Sequence, residues 1–557
     1  MKLQLRKISF RLFLLLPLLV FAVAIQAQSD PTGKSPATRT YAITNATIVQ
    51  APGKVLEGAT IIFNNGLISS VGTNVSIPSN AEVIDGTDLF VYPGFIDGMS
   101  YTGAVQPKSL PRPDNLFTPD PPNDYAGITP ENHVIEQISV SENSISDMRQ
   151  NGFTISHTVP YGRMLPGSGA LITLIDAENR DDLVMYNDVS MYTQFVGAPG
   201  AYPGNTLGIM AKWRNLFRNA VNSKQHSTMY ASNAAGMQRP TRDRTLEAFY
   251  PVVSSDKPVF YNASSLLEAQ RAIRLQKELG FALTLGNLKE GWDLAPFIKE
   301  TGTKVFLSLD LPKEPKAAKE KDKTDEVKHL EERRMEFYKK YVTQPVVMQN
   351  AGIKFGLSTM GTTGGKVKDN LITLIEHGLS EDATLAALTI NAAELLKIDH
   401  ITGTLDAGKL ANAVISTGPI FDKESFIKYV FVDGDKHEYD KKEKKSSSAE
   451  GSQAVIGNWT YTVTSPEGVQ TGTMIIREES GALAGTISGM RGGPDADMKN
   501  LTFVDGSLSF DFSFDAGGQS VEIVVVGTVT GNEYDAEASI AAFSISFPFT
   551  ATKDEGK

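Results

Sequence analysis

The chain of 557 residues contains no cysteine. This excludes disulfide bonds and a lipid-modified cysteine near the N-terminus. A chain of this length can enclose enough apolar area to be stable without covalent crosslinks. It also exceeds what one core usually organises, so two or three domains are expected.

Positive charge is in deficit, with 53 Lys and Arg against 64 Asp and Glu and a formal net charge of −11. Such a balance argues against the binding of nucleic acid or anionic lipid through bulk electrostatics. The expected partner is a small-molecule ligand or substrate.

Long apolar runs are scarce, and the clearest one lies at the N-terminus. Residues 12–25 are apolar, four basic residues precede them, and Ala27 offers a small residue for cleavage. A run of roughly 14 residues is short for a membrane span, which needs about 20. We predict a signal peptide over 1–27, export to the periplasm or cell surface, and no membrane span after cleavage; a retained anchor is the alternative.

Short alternating segments follow a Ser/Thr/Pro/Gly-rich lead-in over 28–40. Residues 41–49, 58–63 and 67–72 alternate apolar and polar side chains, and Asn65-Gly66 separates the last two. Because Asn-Gly accepts the positive φ of a tight turn, this pattern predicts a hairpin in a small β-sheet.

From residue 93 to residue 400 the pattern changes to helices alternating with short apolar strands. Predicted strands include 154–159, 170–175, 258–261, 282–285, 305–309 and 354–357, and predicted helices cover 143–151, 264–279, 293–301 and 381–395. This alternation is typical of parallel βα units. We predict a (β/α)8 TIM-like barrel over 93–400 with some irregular strands, attached to a composite β-sandwich built from 41–92 and 401–437.

The segment 313–340 is dense in charge. It is typical of a solvated loop and surface helix inserted after a barrel strand, and the alternative is a lid over the barrel opening.

The C-terminal part is predicted to be a separate all-β domain. A polar linker over 438–454 is followed, within 455–553, by eight short alternating strands. Such a series favours a small antiparallel barrel or sandwich, because closure removes exposed strand edges.

Two motifs resemble the metal-dependent amidohydrolase family, in particular its imidazolonepropionase-like branch. Pro-Gly-Phe-Ile-Asp at 93–97 is similar to the phrase that enters the family's barrel. Gly-Thr-Leu-Asp-Ala-Gly-Lys-Leu-Ala-Asn at 403–412 is similar to the phrase that returns the chain to the β-sandwich, with Asn412 in place of the usual Asp. The resemblance implies hydrolysis of a non-peptide C–N bond, such as that of a cyclic amide.

The same resemblance places the family's metal ligands at the C-terminal ends of the barrel strands. There the family has two His after the first strand, His on two middle strands and Asp on the last. The corresponding residues here are Met99, Tyr101, Asn262, Asn287 and Met360. Thioether, phenol and amide groups bind hard divalent metals poorly. We therefore expect no metal and no other cofactor; zinc or another divalent metal would be expected only if other donors converge.

The remaining polar residues near predicted strand ends supply the other site candidates. His157 and Asp310 are the candidate catalytic residues for metal-free chemistry, to which Tyr101 could contribute. The candidate substrate-binding residues are Tyr101, Arg163, Asn262, Asn287 and Glu290. Each of the ionisable ones could equally be a structural residue or a surface charge.

The sequence leaves three functional hypotheses open. The chain is a hydrolase with weakened or lost metal-dependent activity, an exported pseudoenzyme that binds a ligand or partner, or a metal-free enzyme. A homo-oligomer, or pairing with an active relative, is the expected mode of protein association.

Overall fold

The computed structural model describes residues 39–108, 111–315, 324–440, 454–465, 468–479, 482–488, 495–504, 506–516, 519–540 and 545–554. The chain divides into two compact units, Met1–Tyr439 and Asp440–Lys557. The predicted signal peptide and most of the predicted lead-in and linker lie outside the described residues. Within the described ranges, no helix is both long and apolar enough to cross a membrane.

The strands of the first unit come from both of its ends and from the region between them. They are β1 (Thr40–Ala51), β2 (Lys54–Asn64), β3 (Leu67–Gly72), β4 (Ala81–Asp85), β5 (Phe90–Pro93), β6 (Phe95–Ser100), β7 (Phe153–Thr158), β8 (Gly167–Thr173), β9 (Val184–Gln194), β10 (Val259–Asn262), β11 (Leu283–Leu288), β12 (Lys304–Ser308), β13 (Phe355–Ser358), β14 (Ala413–Ser416), β15 (Ile427–Val432) and β16 (Asp435–Glu438).

The helices of the first unit lie mostly between the strands β6 to β14. They are α1 (Asn123–Ala126), α2 (Asn143–Gln150), α3 (Arg180–Leu183), α4 (Thr206–Ser232), α5 (Arg244–Ala248), α6 (Tyr250–Val253), α7 (Leu266–Leu279), α8 (Ala295–Thr301), α9 (Asp325–Val342), α10 (Gln344–Asn350), α11 (Gly364–Glu376), α12 (Glu381–Leu388) and α13 (Ile390–Leu396), with 3-10 turns at Val134–Glu136 and Trp292–Leu294.

The first sheet joins segments from both ends of the unit in the order β16-β15-β14-β5-β1-β2-β3, and β4 pairs with β1. The predicted β2–β3 hairpin is confirmed, and Asn65 and Gly66 in its turn have φ of 50° and 76°. The predicted return of the chain is also confirmed, because β14 lies antiparallel to β5. Apolar side chains such as Ile43, Ile61 and Phe431 form the core of this sheet.

The second sheet has the order β6-β7-β8-β9-β10-β11-β12-β13. Its two end strands are joined by hydrogen bonds, since Ser358 Oγ donates to the Met99 carbonyl at 2.6 Å and the Thr359 N–H donates to Asp97 Oδ1 at 3.0 Å. The sheet is therefore nearly closed and barrel-like.

One strand departs from the expected (β/α)8 pattern. Strand β8 is antiparallel to both β7 and β9, while every other neighbouring pair in this sheet is parallel. Only residues 159–166 connect β7 to β8. A parallel crossover needs about a dozen residues or more, so this short connection can only turn the chain back.

Two further predictions need correction or qualification. The helix predicted over 381–395 is two helices, α12 and α13, because Thr389 between them has φ −126° and ψ −97°. The charged segment 313–340 does contain a helix, α9, whose Tyr341 hydroxyl donates to the Asp310 carbonyl at 3.0 Å. Residues 316–323 of that segment lie outside the described residues, and the lid alternative is untested.

The second unit is an antiparallel sheet around its own core. Its strands are β17 (Gly457–Ser465), β18 (Gly468–Glu479), β19 (Ala482–Ile487), β20 (Ala496–Asp497), β21 (Lys499–Val504), β22 (Ser507–Ala516), β23 (Gln519–Thr530), β24 (Glu533–Ile540) and β25 (Ile545–Lys553). They follow the order β20-β19-β18-β17-β25-β24-β23-β22-β21. Trp459, Tyr461, Phe510 and Phe549 are buried at its centre, so an all-β C-terminal region is confirmed.

Candidate functional site

The C-terminal ends of the parallel strands β6, β7 and β9 to β13 lie at one end of the barrel-like sheet, which we call the mouth. Barrels of parallel strands carry their chemistry at this end. The positions aligned with the family's metal ligands all lie there, because each is at or just after the end of its strand.

The interior beneath the mouth is filled by four apolar side chains, Met99, Phe260, Phe306 and Met360, which we call the interior layer. All four belong to one buried cluster, and Met360, the most exposed of them, is 5% exposed. Met99 on β6 reaches β11, where a Cβ added to Gly286 would lie 2.5 Å from its Sδ. The two thioethers therefore act as packing groups.

Phe306 on β12 contacts two glycines, Gly356 on the neighbouring strand β13 and Gly98 on β6. A Cβ added to Gly98 would lie 1.9 Å from the Phe306 ring, and one added to Gly356 would lie 2.5 Å from it. The same ring stacks on Phe260 with centroids 6.1 Å apart. Both glycines are required by this close approach, since carbon atoms in contact lie about 3.5–4 Å apart.

Five polar side chains form a hydrogen-bonded mouth network: Tyr101, Tyr192, Gln194, Asn262 and Asn287. The Tyr192 hydroxyl donates to Gln194 Oε1 at 3.2 Å and lies 3.1 Å from the Tyr101 hydroxyl. Asn262 Nδ2 donates to Tyr192 Oη and to Gln194 Oε1, both at 3.4 Å. Asn287 Nδ2 donates to Asn262 Oδ1 at 3.3 Å.

The phenols of this region stay protonated at neutral pH. Burial raises the pKa of Tyr101 and places that of Tyr192 well above the ordinary value. Burial also raises the pKa of Tyr161, whose ring stacks on Tyr101 at 4.0 Å, to about 12. The Tyr192 hydroxyl uses its one proton in the hydrogen bond to Gln194, so Tyr101 must be the donor in the bond between the two hydroxyls. The lone pairs of the Tyr101 oxygen can therefore accept a hydrogen bond from a ligand.

Asn287 has an unsatisfied acceptor. Its backbone is left-handed, with φ of 53°, a conformation that Asn adopts more readily than most residues. The residue is 5% exposed, and its Oδ1 is buried without a hydrogen-bond partner among the described residues. An unpaired buried carbonyl costs free energy that a ligand N–H would offset.

His157 lies on β7 against Phe260 of the interior layer and is fully buried. Its Nδ1 lies 2.9 Å from the Gly98 carbonyl and its Nε2 lies 2.8 Å from Ser190 Oγ. Since a carbonyl can only accept, Nδ1 carries the proton and the Ser190 hydroxyl donates to Nε2. Burial lowers the pKa of His157 to about 4, so the ring is neutral with both nitrogens engaged.

Asp310 lies at the mouth, but β13 and β6 lie between β12 and the strand of His157, even by the shorter way around the sheet. Asp310 Oδ2 accepts from Lys289 Nζ at 2.5 Å. The structure therefore gives His157 and Asp310 separate partners and brings neither into the mouth network.

The last two candidates also lie outside the network. Arg163 Nη1 donates to the Tyr125 carbonyl at 2.8 Å, and its guanidinium lies 5.8 Å from the Tyr125 ring centroid. Glu290 Oε2 accepts from the N–H of Leu266 at 3.3 Å, at the start of α7. Of the substrate-binding candidates, Tyr101, Asn262 and Asn287 are the ones that come together.

Tyr192 and Gln194 are not predicted as site residues, because β9 has no regular strand pattern in the sequence. The first half of that strand is polar and contains Asp188 with φ of 58°, which interrupts regular alternation. Only the buried segment 190–194 carries a recognisable strand pattern.

The donor set at the mouth does not fit a hydrolytic divalent metal. Zinc in proteins is bound by Cys, His and carboxylate groups, and calcium or magnesium by oxygen ligands that are largely carboxylates. Here the aligned positions hold two packed thioethers, a protonated phenol and two amides bonded to each other. Within the described ranges, no three His, Asp or Glu side chains are grouped so that they could hold a metal ion.

The comparison with protein families agrees with the resemblance drawn from the two motifs. Residues 294–436 match the model of the amidohydrolase family, and this range includes the closing motif at 403–412. The resemblance to the amidohydrolase family is thereby confirmed. No curated protein matches the chain in sequence.

Solved structures with a similar fold include an amidohydrolase from Thermotoga maritima, at 20% identity and a TM-score of 0.59, covering 72% of this chain and 100% of that chain. A prolidase complexed with N-methylphosphonate-L-proline has 15% identity and a TM-score of 0.44, with 72% and 100% covered. Phenylurea hydrolase B has 15% identity and a TM-score of 0.41, with 72% and 96% covered. The first of these structures shows that the chain has an amidohydrolase-type fold.

Proposed function

We propose that this chain, whose residues 294–436 match the amidohydrolase family, binds a small uncharged amide or urea at its barrel mouth and has lost metal-dependent hydrolysis. In this proposal the nearly closed sheet is a (β/α)8 barrel in which β8 has reversed. The ligand class follows from the groups that the mouth presents. The loss of activity follows from the groups that fill the positions of the metal ligands.

The observation that carries the proposal is the mouth network. Its members are amides and protonated phenols, all of which hydrogen-bond without carrying charge. Asn287 Oδ1 is an unpaired acceptor, within the described part of the chain, for a ligand N–H. Tyr101 keeps lone pairs for a second N–H. Ligands that present N–H groups, such as cyclic amides and ureas, match these two acceptors.

The interior layer supports the loss of hydrolysis. Activation of water near neutral pH requires a metal or a general base beside the substrate. The positions that would hold the metal carry Met99 and Met360, and both are buried in the apolar cluster with Phe306. His157 is neutral and both of its nitrogens are engaged, so it has no lone pair to offer a substrate.

The first test is metal analysis together with ligand binding. The full chain, purified without chelator, is expected to contain less than one equivalent of zinc, iron or manganese. Calorimetric titration with hydantoin, 2-pyrrolidone and phenylurea is expected to show saturable binding of at least one compound without product formation. A full equivalent of metal, with turnover of any of these compounds that chelation abolishes, contradicts the proposal.

Paired variants locate the binding site. Tyr101→Phe removes only a hydroxyl, and Asn287→Gly removes only a side chain while allowing the left-handed backbone; each is expected to weaken binding roughly tenfold. Tyr202→Phe and Asn65→Gly are the matched controls, because Tyr202 is exposed and Asn65 has a φ of 50° in a remote turn. Equal affinities in all four variants, or no saturable binding by the wild-type chain, would refute the assignment.

Export and pairing with an active relative remain predictions from the sequence. Protease accessibility in intact cells would check the first, and co-purification with a metal-containing homologue would check the second.

A further inference from the structure

A cavity lies at the end of the barrel-like sheet opposite the mouth. It has a volume of about 780 Å³ and is bordered by the first residues of β10, β11 and β12. Residues 186–189 of β9 and residues 395–398 at the end of α13 complete its border. Pockets for small molecules usually measure about 300–1,000 Å³, so this cavity has a suitable size.

Part of the cavity wall is apolar. Leu171, Val189, Leu283, Leu395 and Ile398 line it. Phe260 also lines it and belongs to the interior layer, so that layer forms part of the inner wall. An apolar ligand body therefore has a surface to bury against.

Two lysines, Lys304 and Lys397, and two aspartates, Asp188 and Asp256, line the cavity. Among the described residues, no ion pair joins either lysine to a carboxylate, and the charge of Lys397 acts on Lys304. Lys304 is half-buried, and its Nζ donates to the Leu395 carbonyl at 2.8 Å. Burial and, to a smaller extent, the charge of Lys397 lower the pKa of Lys304. The nearby carboxylate of Asp188 is bound by Lys257 at 2.5 Å. Lys304 therefore has a carbonyl as its partner rather than a counter-charge.

A polar atom of the lining is also unpaired. Gln276 on α7 lines the cavity, and its Oε1 is buried without a hydrogen-bond partner in the described part of the chain. A buried amide oxygen is normally satisfied, so its free acceptor fits a ligand that carries an N–H or O–H group.

We propose that this cavity binds an anionic amphiphile, with its acidic group on Lys304 and Lys397, its apolar body against Phe260 and Leu283, and a donor group on Gln276. The two lysines favour an anionic ligand, because their ammonium groups repel each other and an anion bound to both would offset that repulsion. The proposal does not depend on the function assigned to the mouth, because the two sites share no polar residue.

Two fluorescent probes with one skeleton test this proposal on the full chain. 8-Anilinonaphthalene-1-sulfonate has an acidic group, an apolar body and an N–H, while N-phenyl-1-naphthylamine lacks the sulfonate. Saturable binding of the sulfonate probe at one equivalent is expected. Lys304→Met and Lys397→Met should each weaken it at least roughly tenfold and leave the neutral probe within about twofold.

A third variant and a control separate this cavity from other sites. Ala282→Trp fills the cavity and should abolish binding of both probes, whereas Tyr101→Phe at the mouth should change neither. Circular dichroism identifies any variant that fails to fold. If Lys304→Met does not fold, the result for Lys397→Met decides, because Lys397 is exposed and its substitution leaves the core intact. Wild-type affinity for the sulfonate probe in both lysine variants would overturn the proposal, as would the absence of saturable binding.

Discussion

At the residue scale, the buried imidazole of His157 is a structural group. It bridges the Gly98 carbonyl on β6 and the Ser190 hydroxyl on β9, and it packs edge-on against Phe260 with centroids 4.3 Å apart. A charged ring in this place would have to donate to Ser190 Oγ instead of accepting from it, and its charge would be buried away from water. The folded state therefore favours the neutral ring.

The stability of the chain should consequently fall in mild acid. The pKa of His157 falls from 6.5 to about 4 on folding, so the unfolded chain binds a proton between these pH values that the folded chain does not. Above pH 6.5 the neutral ring costs the folded chain no free energy. As the pH falls from 6.5 to about 4, the free energy of unfolding decreases by roughly 3 kcal/mol because of this group. Urea unfolding at pH 7.5 to 4.5 measures this loss.

The variant His157→Gln isolates this group. It should be less stable than the wild type at pH 7.5, and the difference should shrink by about 2 to 3 kcal/mol at pH 4.5. His329→Gln, at an exposed position of α9, should follow the wild-type profile. His437, whose pKa burial also lowers to about 4, contributes in the same direction to all of these proteins. Parallel profiles for the wild type and His157→Gln would show that the inference is wrong.

Individual site residues could be predicted only where a motif fixed their position. Met99 and Tyr101 follow the entry motif at a known spacing, and Met360 follows from an ungapped alignment with the last strand. Asn262 and Asn287 were placed by weaker alignments, yet they share a hydrogen bond in the structure. The roles of His157 and Asp310 could not be predicted, because sequence does not show which side chains are enclosed in the interior and which reach the mouth.

At the element scale, Asp97 joins the two end strands of the barrel-like sheet. Its carboxylate on β6 accepts from the N–H and the hydroxyl of Thr359, just after β13, and from the N–H of Met99 at 3.3 Å. Burial raises the pKa of Asp97, and these hydrogen bonds oppose that rise. The Asp of the entry motif thus closes the sheet.

Asp97→Ala should loosen the contact between β6 and β13. The Thr359 N–H would be left buried without a partner, which costs about 1 to 3 kcal/mol. Hydrogen exchange should become faster in β6 and β13 than in the central strands β10 and β11. Asp120→Ala, at an exposed position, is the matched control. Uniform exchange rates across the sheet in Asp97→Ala would contradict this role.

Most elements could be predicted from periodicity, and the failures have physical causes. Strand β9 was missed because its first half is polar, and the reversal of β8 depends on which neighbour it pairs with, which periodicity does not encode. Helix α4 was missed although its buried Ile209, Trp213 and Leu216 have helical spacing. The break at Thr389 depends on local backbone angles that no breaker residue announces.

At the scale of the whole molecule, the chain consists of two units with separate cores. The first encloses the clusters around the two mixed sheets, and the second encloses the cluster around Trp459 and Phe549. Sequence predicted this division from the polar segment near residue 440, because a change from alternating helices and strands to short strands alone marks a new core.

Each of the two units should unfold in a separate cooperative transition. A chain that ends at Tyr439 should keep the first unit's calorimetric transition within about 2 °C, which corresponds to less than about 2 kcal/mol at this size. The transition of the second unit should be missing from it and present in a chain of residues 454–557. Loss of both transitions on truncation would show that the cores depend on each other.

The Phe306 ring has a consequence for how related sequences can diverge. Because the ring occupies the space where side chains at Gly98 and Gly356 would begin, a larger residue at either glycine is tolerated only with a smaller one at 306. Substitutions at these three positions should therefore be inherited together, although the positions lie on three strands and far apart along the chain. Related sequences in which positions 98, 306 and 356 vary together would thus share an ancestor that already had an aromatic ring in the barrel interior.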